Sequence, residues 1–262
     1  MLTAWTEASW GKTRRLNRLG RVEGTYILLA LDHGLSLGPL PGIEDFSICA
    51  DDELNAVFTG VVLNRGAIGQ ALSPASRLGM VLQTFGSSSN DAGIRKVRLI
   101  SPDEAIVLDP DALAVELNLN QDSSGKAISD VADTVTICSR IGMPVLLMLT
   151  PKNGEPYINC LAHGIRMATE LGVDLLKIGL PAKIVCETAK TVSPLIRAIE
   201  LAPPVLLAGG PLTGEFMPTV EYSRKLGFRG ICVGRNIFQS ISIRNSIRAI
   251  GDAFAENRQV IQ

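Results

Sequence analysis

Eight short apolar runs punctuate the chain, each closed by Gly, Pro, Asn or Asp or by a neighbouring polar residue. They are 25–31 (TYILLAL), 56–63 (AVFTGVVL), 79–84 (GMVLQT), 112–117 (ALAVEL), 144–149 (PVLLML), 174–178 (DLLKI), 204–208 (PVLLA) and 230–233 (GICV). Runs without polar alternation predict strands covered on both faces, and hence a parallel sheet. Between most of them lie stretches with apolar residues at helical spacing, at 128–141, 159–171 and 218–226. Strand ends recur every ~25–32 residues, one βα unit each. Eight units predict an α/β chain folded as a (β/α)8 TIM barrel. A six-stranded doubly wound sheet would leave two units over, and no GxGxxG follows the first run. The segment before residue 25 carries an amphipathic stretch, 12–19 (KTRRLNRL), predicted to pack across the barrel bottom or against a neighbouring subunit. Residues 35–44 (LSLGPLPGIE), rich in Gly and Pro, are predicted to be non-helical. No linker interrupts the pattern, so one domain is expected over 1–262, with 1–24 as a helical extension.

Composition narrows the function. The 262 residues are 46% hydrophobic with net charge −1, and mean hydropathy is +0.25. With no long basic stretch, neither nucleic acid nor a membrane surface is an expected partner. No run reaches the ~18 apolar residues that span a bilayer, and the N-terminus is polar, so a cytoplasmic protein is expected. Cys49, Cys138, Cys160, Cys186 and Cys232 are odd in number and scattered, which reads as reduced, buried small residues.

Chemistry in such barrels belongs at the carboxyl ends of the strands. Those ends carry Asp32-His33-Gly34, Asn64-Arg65-Gly66, Ser87-Ser88-Ser89, Glu116 with Asn118 and Asn120, Thr150 with Lys152, Lys177, Gly209-Gly210, and Gly234-Arg235-Asn236. Lys177 lies within VDLLKIGL, apolar on both sides. Desolvation predicts a lowered pKa, a fall of three units costing the ammonium ~4 kcal/mol. The neutral amine is what attack on a carbonyl requires. The other reading is a structural lysine paired with an inward carboxylate such as Asp32 or Glu116. Asp32 can move protons or hold the lysine, or it can simply stabilise a turn. His33 is the weaker candidate, because only one of two adjacent strand residues faces the axis. AGGP (208–211) and VGRN (233–236) end the seventh and eighth runs, where barrels bind phosphate through backbone N–H groups. Arg235 adds a fork of donors. Two tight turns are the plainer alternative.

These residues resemble the DeoC/FbaB aldolase family, in the branch of archaeal-type class I fructose-bisphosphate aldolase, aminodideoxyheptulosonate synthase and the LsrF-type autoinducer-2 thiolase. The matching elements are RLNRL (15–19), Leu31-Asp32-His33-Gly34 followed by Gly38-Pro39, LLKI with Lys177, Ala208-Gly209-Gly210, and the most specific, GRNIFQ (234–239). The resemblance implies an imine between Lys177 and a phosphorylated ketone, assisted in proton transfer by Asp32. It implies that Gly209, Gly210, Gly234 and Arg235 hold the phosphate, that no cofactor is needed, and that the chain forms a homo-oligomer, commonly a decamer in this family. One departure stands out. The aldolase members end the fifth strand in Tyr-Pro-Arg-Gly with a proton-transferring tyrosine, where this chain has Thr150-Pro151-Lys152-Asn153. An aliphatic hydroxyl is far too weak an acid to replace a phenol. Candidate substitutes are Asp32, His33, Lys152, an ordered water, or Tyr157 reaching back from the loop. The leading expectation is a Schiff-base aldolase acting on a phosphorylated keto substrate. Alternatives are a transaldol- or thiolase-like C–C transferase and a non-catalytic phosphate-ligand binder. Metal-dependent aldol chemistry is disfavoured, since the only histidines are His33 and His163, the latter in a predicted helix.

Overall fold

The computed structural model describes residues 7–21, 23–88, 96–121, 125–210 and 216–255. Ser89, Pro211, and residues 1–6 and Val22 of the N-terminal extension lie outside the described residues. All eight apolar runs contain barrel strands: β1 (Tyr26–Ala30), β2 (Gly60–Leu63), β3 (Gly79–Gln83), β4 (Ala112–Asn118), β5 (Val145–Thr150), β6 (Leu175–Ile178), β7 (Val205–Ala208) and β8 (Gly230–Val233). Every neighbouring pair is parallel, and β8 returns to β1 to close the barrel. The surrounding helices include α1 (Glu7–Leu19), α2 (Asp52–Val57), α3 (Lys126–Arg140), α4 (Tyr157–Leu171), α5 (Ala189–Glu200), α6 (Phe216–Lys225), the single turn α7 (Arg235–Phe238) and α8 (Ile243–Ala255).

Two local expectations are corrected. Ala56 and Val57 belong to α2, not to the second strand. Asp51 fixes the start of that helix by accepting a hydrogen bond from the Leu54 amide at 2.9 Å, and the helix runs on to Val57. The Gly/Pro-rich stretch after β1 opens with one helical turn, Gly34–Leu37, because its prolines begin only at Pro39. The short antiparallel pair Phe85–Gly86 with Val97–Arg98 was not legible in the pattern.

The apolar strands are two-sided. Ile27, Leu29, Leu31, Val61, Leu63, Leu82, Val115 and Leu147 belong to the outer layer, packed under the helices. Tyr26, Leu28, Ala30, Val62, Val81, Ala112, Ala114, Leu146, Leu175, Leu206 and Cys232 fill the interior. The period of two along each strand assigns alternate residues to the two layers. Leu19 at the end of α1 is fully buried and joins this interior cluster, with Leu16 packed beside it. The helix is pinned there by ion pairs from Arg18 to Asp111 and from Lys12 to Asp174, the latter 2.9 Å long. Asp111 also accepts from the Met80 amide at 2.9 Å. The N-terminal helix therefore closes the bottom of the barrel.

Leu19→Ala should lower unfolding free energy by about 2–5 kcal/mol, through lost apolar burial and a residual cavity. A urea melt followed by far-UV circular dichroism would show the midpoint fall with the native spectrum retained.

Candidate active site

The inward alternation continues past the apolar layers into polar residues at the barrel mouth. Above Ala30 comes Asp32, above Val81 Gln83, above Ala114 Glu116, above Leu146 Met148, and above Leu175 Lys177. Register pairs Glu116 with Met148 and Met148 with Lys177, so these three point into the barrel from neighbouring strands. The Lys177 Nζ lies 3.9 Å from the Met148 sulfur. Gln83 ties the two carboxylates together. Its Nε2 donates to Asp32 Oδ2 at 2.9 Å and to Glu116 Oε1 at 3.2 Å. Lys96, from the loop before β4, grips both Glu116 oxygens at 2.6 Å.

These contacts overturn the expected fall in the Lys177 pKa. Burial does pull the ammonium toward its neutral form. Cys232, Asp32 and Glu116 outweigh it, and the amine ends above the ordinary lysine range. Burial also pushes the Cys232 thiol up, against the opposite pull of Lys177. The two carboxylates diverge. Burial would raise Asp32, but Lys177, His33 and the Gln83 amide prevail and hold it below the usual range. For Glu116 burial prevails over Lys96 and raises it.

The seventh and eighth strand ends meet closely. A Cβ at Gly209 would sit 2.3 Å from Asn236 Oδ1, and one at Gly234 would sit 2.4 Å from the Ala30 carbonyl and 2.5 Å from His33 Cε1. Only glycine allows this approach. Gly210 takes φ +65. Arg235 opens α7, its Nε buried and without a hydrogen-bond partner among the described residues. A concave end of glycines with a guanidinium beside it is suited to an anion.

A model of the DeoC/LacD family aldolases matches residues 26–240. The chain belongs to that family. A 2-amino-3,7-dideoxy-D-threo-hept-6-ulosonate synthase of Archaeoglobus fulgidus is 26% identical, over 88% of this chain and 85% of its own. A class 1 fructose-bisphosphate aldolase of Thermoproteus tenax is 27% identical, over 92% and 93%. Among solved structures, an archaeal fructose-1,6-bisphosphate aldolase, described with its catalytic Lys covalently bound to the carbinolamine intermediate of the substrate, is 27% identical. It superposes with a TM-score of 0.75 over 92% of this chain and 98% of that one.

Other residues singled out in the sequence fall less centrally in this DeoC/LacD aldolase. His33 turns away from the axis and packs edge-on against Phe238, with ring centres 5.5 Å apart. Its Nδ1 stands 3.8 Å from Asp32 Oδ1, beyond hydrogen-bond reach. Burial lowers its pKa despite Asp32, aided by Lys177 and Arg235, so the ring is neutral near pH 7. Thr150 and Lys152 are exposed on the rim. Tyr157 does not reach back, because its hydroxyl donates to Glu187 Oε1 at 2.8 Å and Lys183 covers its ring. Asn120 bridges the fourth and fifth loops through Pro151 and Asn153. Arg65 and Ser88 are exposed, while Ser87 is buried and accepts from Ser36 through its carbonyl. Two cysteines escape the burial expected of all five, Cys160 partly and Cys186 fully. The sequence reading missed Gln83, the one polar residue of GMVLQ and in phase with Asp32, which two-residue alternation would have found. It also missed Lys96, which a loop delivers and no periodicity marks.

Two outcomes follow from this geometry. Gly209→Ala should cost roughly 1–3 kcal/mol by overpacking against Asn236, and adding Asn236→Ala should recover most of it in denaturant melts. Asp32 has a depressed folded pKa, so its contribution to stability is full above the ordinary aspartate value of 3.8 and is lost as pH falls through the lower folded value. Asp32→Asn should flatten that acid limb in pH-dependent melts.

Proposed function

We propose that the protein is a Schiff-base aldolase that makes or breaks a C–C bond in a phosphorylated keto substrate, such as a ketose phosphate or dihydroxyacetone phosphate with an aldehyde. The observation that carries this reading is a lysine amine that points into the barrel from the end of β6, with two inward carboxylates tied together by Gln83 and glycines ending the neighbouring β7 and β8. Lys177 Nζ attacks the keto carbonyl to give a carbinolamine, and loss of water leaves an iminium. Because the resting amine is protonated, it must first release a proton, and Asp32 is the residue that holds it and assists that transfer. Gly209, Gly210, Gly234 and Arg235 bind the phosphate, through backbone N–H groups and the guanidinium. His33 supports the site by packing, and Thr150 and Lys152 meet the second substrate at the rim. The finer reading is one barrel domain over 1–262, with 1–24 as its extension, working as a cytoplasmic homo-oligomer.

A second reading, a C–C transferase, draws on the rim. Thr150 is exposed there and Tyr157 is engaged by Glu187, so no phenol is poised over the axis among the described residues. The Archaeoglobus relative is named a synthase. Turnover that strictly requires a second acceptor would separate this reading from simple cleavage.

Borohydride reduction with dihydroxyacetone phosphate should leave a three-carbon phosphate adduct on Lys177, located by peptide mass spectrometry and absent in Lys177→Ala. No adduct with this ketone or with any ketose phosphate would overturn the imine. Arg235→Ala should raise KM for the phosphorylated ketone about 10–100-fold, equivalent to ~1.4–2.7 kcal/mol, with a smaller effect on kcat.

A further inference from the structure

Gln83 ends β3, points inward like Asp32 and Glu116, and is only 3% exposed. Its amide is fixed end for end. Oε1 accepts from the backbone amides of Thr84 at 3.1 Å and Phe85 at 3.4 Å. A flipped amide would set its oxygen against two acceptors and its NH2 against two donors, so Nε2 has to face the acids. There it donates to Asp32 Oδ2 at 2.9 Å and to Glu116 Oε1 at 3.2 Å, which occupies both of its hydrogens. Lys177 stands beside this bridge. Among the described residues no ion pair joins it to either carboxylate. Its Nζ lies 3.9 Å from the Met148 sulfur, which Gln83 Nε2 approaches at 3.6 Å.

We propose that Gln83 is a positioning residue for imine formation: by engaging one oxygen of each carboxylate, it keeps both from closing a tight ion pair on Lys177 and so lets the ammonium release its proton. This rests on the Schiff-base reading above. Cys232 from β8, Asp32 from the end of β1 and Glu116 from β4 bear on the amine. The acids are faced in turn by His33 and Lys96. A hydrogen bond to a carboxylate favours its charged form, and the Gln83 bond helps to keep Asp32 ionised. An anion satisfied in this way holds a neighbouring ammonium less strongly than a bare one. Gln83 therefore relaxes the grip on the amine without adding a charge. The step it serves balances. The ammonium passes a proton to Asp32 Oδ1, the oxygen that Gln83 leaves free, and keeps the N–H electron pair. That pair attacks the keto carbon, and the C=O π pair moves to oxygen, which takes the proton from Asp32. The same carboxylate carries a second proton from nitrogen to this hydroxyl. Water leaves with the C–O pair as the nitrogen lone pair forms C=N⁺. Ammonium and ketone have become iminium and water.

The test compares initial rates at which dihydroxyacetone phosphate, quenched with borohydride, labels Lys177 at about pH 9, where a glutamate at position 83 is ionised. Gln83→Met removes the donor and should slow labelling about tenfold, equivalent to one pH unit at the amine. Gln83→Glu keeps the shape and the acceptor for Thr84 and Phe85 but puts an anion where the donor stood, and should slow labelling on the order of 10²-fold. Gln83→Lys restores a donor to both acids and should label Lys177 within about threefold of the native rate or faster. A packing role predicts another order, with the isostere Gln83→Glu nearest to native. Undiminished labelling in Gln83→Met overturns the proposal, and so does labelling of Gln83→Glu at or near the native rate. The second of these decides alone should Gln83→Met fail to fold. Glycerol 3-phosphate, which has no keto group, should bind every folded variant within about threefold of native; binding lost in step with labelling overturns the proposal. No label on native Lys177 overturns the Schiff-base reading instead.

Discussion

A lysine held inside the barrel mouth among Cys232, Asp32 and Glu116 is the constraint around which the rest of the site is arranged. An ammonium inside an apolar core is expensive unless an anion accompanies it. A second carboxylate beside the first is costly in turn unless the pair is separated or shared. Gln83 resolves this with one amide that donates to both Asp32 and Glu116. Lys96 then adds a second cation at Glu116 alone. The charges alternate around the mouth, and the two carboxylates end in different protonation environments.

The rest of the molecule keeps that arrangement at one end. Leu19 and Leu16 stopper the opposite opening, with Arg18 and Lys12 paired to Asp111 and Asp174. Between stopper and mouth lie layers of small and branched residues with no charge to compete for the lysine. At the mouth, β7 and β8 end in glycines because neighbouring groups already fill the space that a Cβ would need. Arg235 follows Gly234 directly and opens α7.

Much of this was legible along the chain. Eight apolar runs at a regular interval gave the barrel, and strand ends placed Lys177, Asp32, Gly209, Gly210, Gly234 and Arg235 at one face. Strict alternation would also have added Gln83, whose polarity breaks an otherwise apolar strand in phase with Asp32. The sequence reading erred where it considered one residue without its neighbours. Desolvation of Lys177 argued for a lowered pKa, but the sign depends on how Cys232, Asp32 and Glu116 weigh against burial. That balance is a property of register between strands far apart in the chain. Lys96 reaches Glu116 from an aperiodic loop, and Tyr157 is diverted by Glu187 from thirty residues further on.

By itself, then, the sequence determined the layer structure and the identity of the nucleophile candidate. Hydrophobic period and strand-end chemistry are local properties, and they follow from each run's own residues. The tertiary structure alone decided the electrostatics: which carboxylate is lowered and which raised, that the resting amine is charged, and that His33 is neutral and turned aside. Those outcomes depend on separations of a few ångströms between side chains on different strands, which closure of the barrel sets and no single segment encodes.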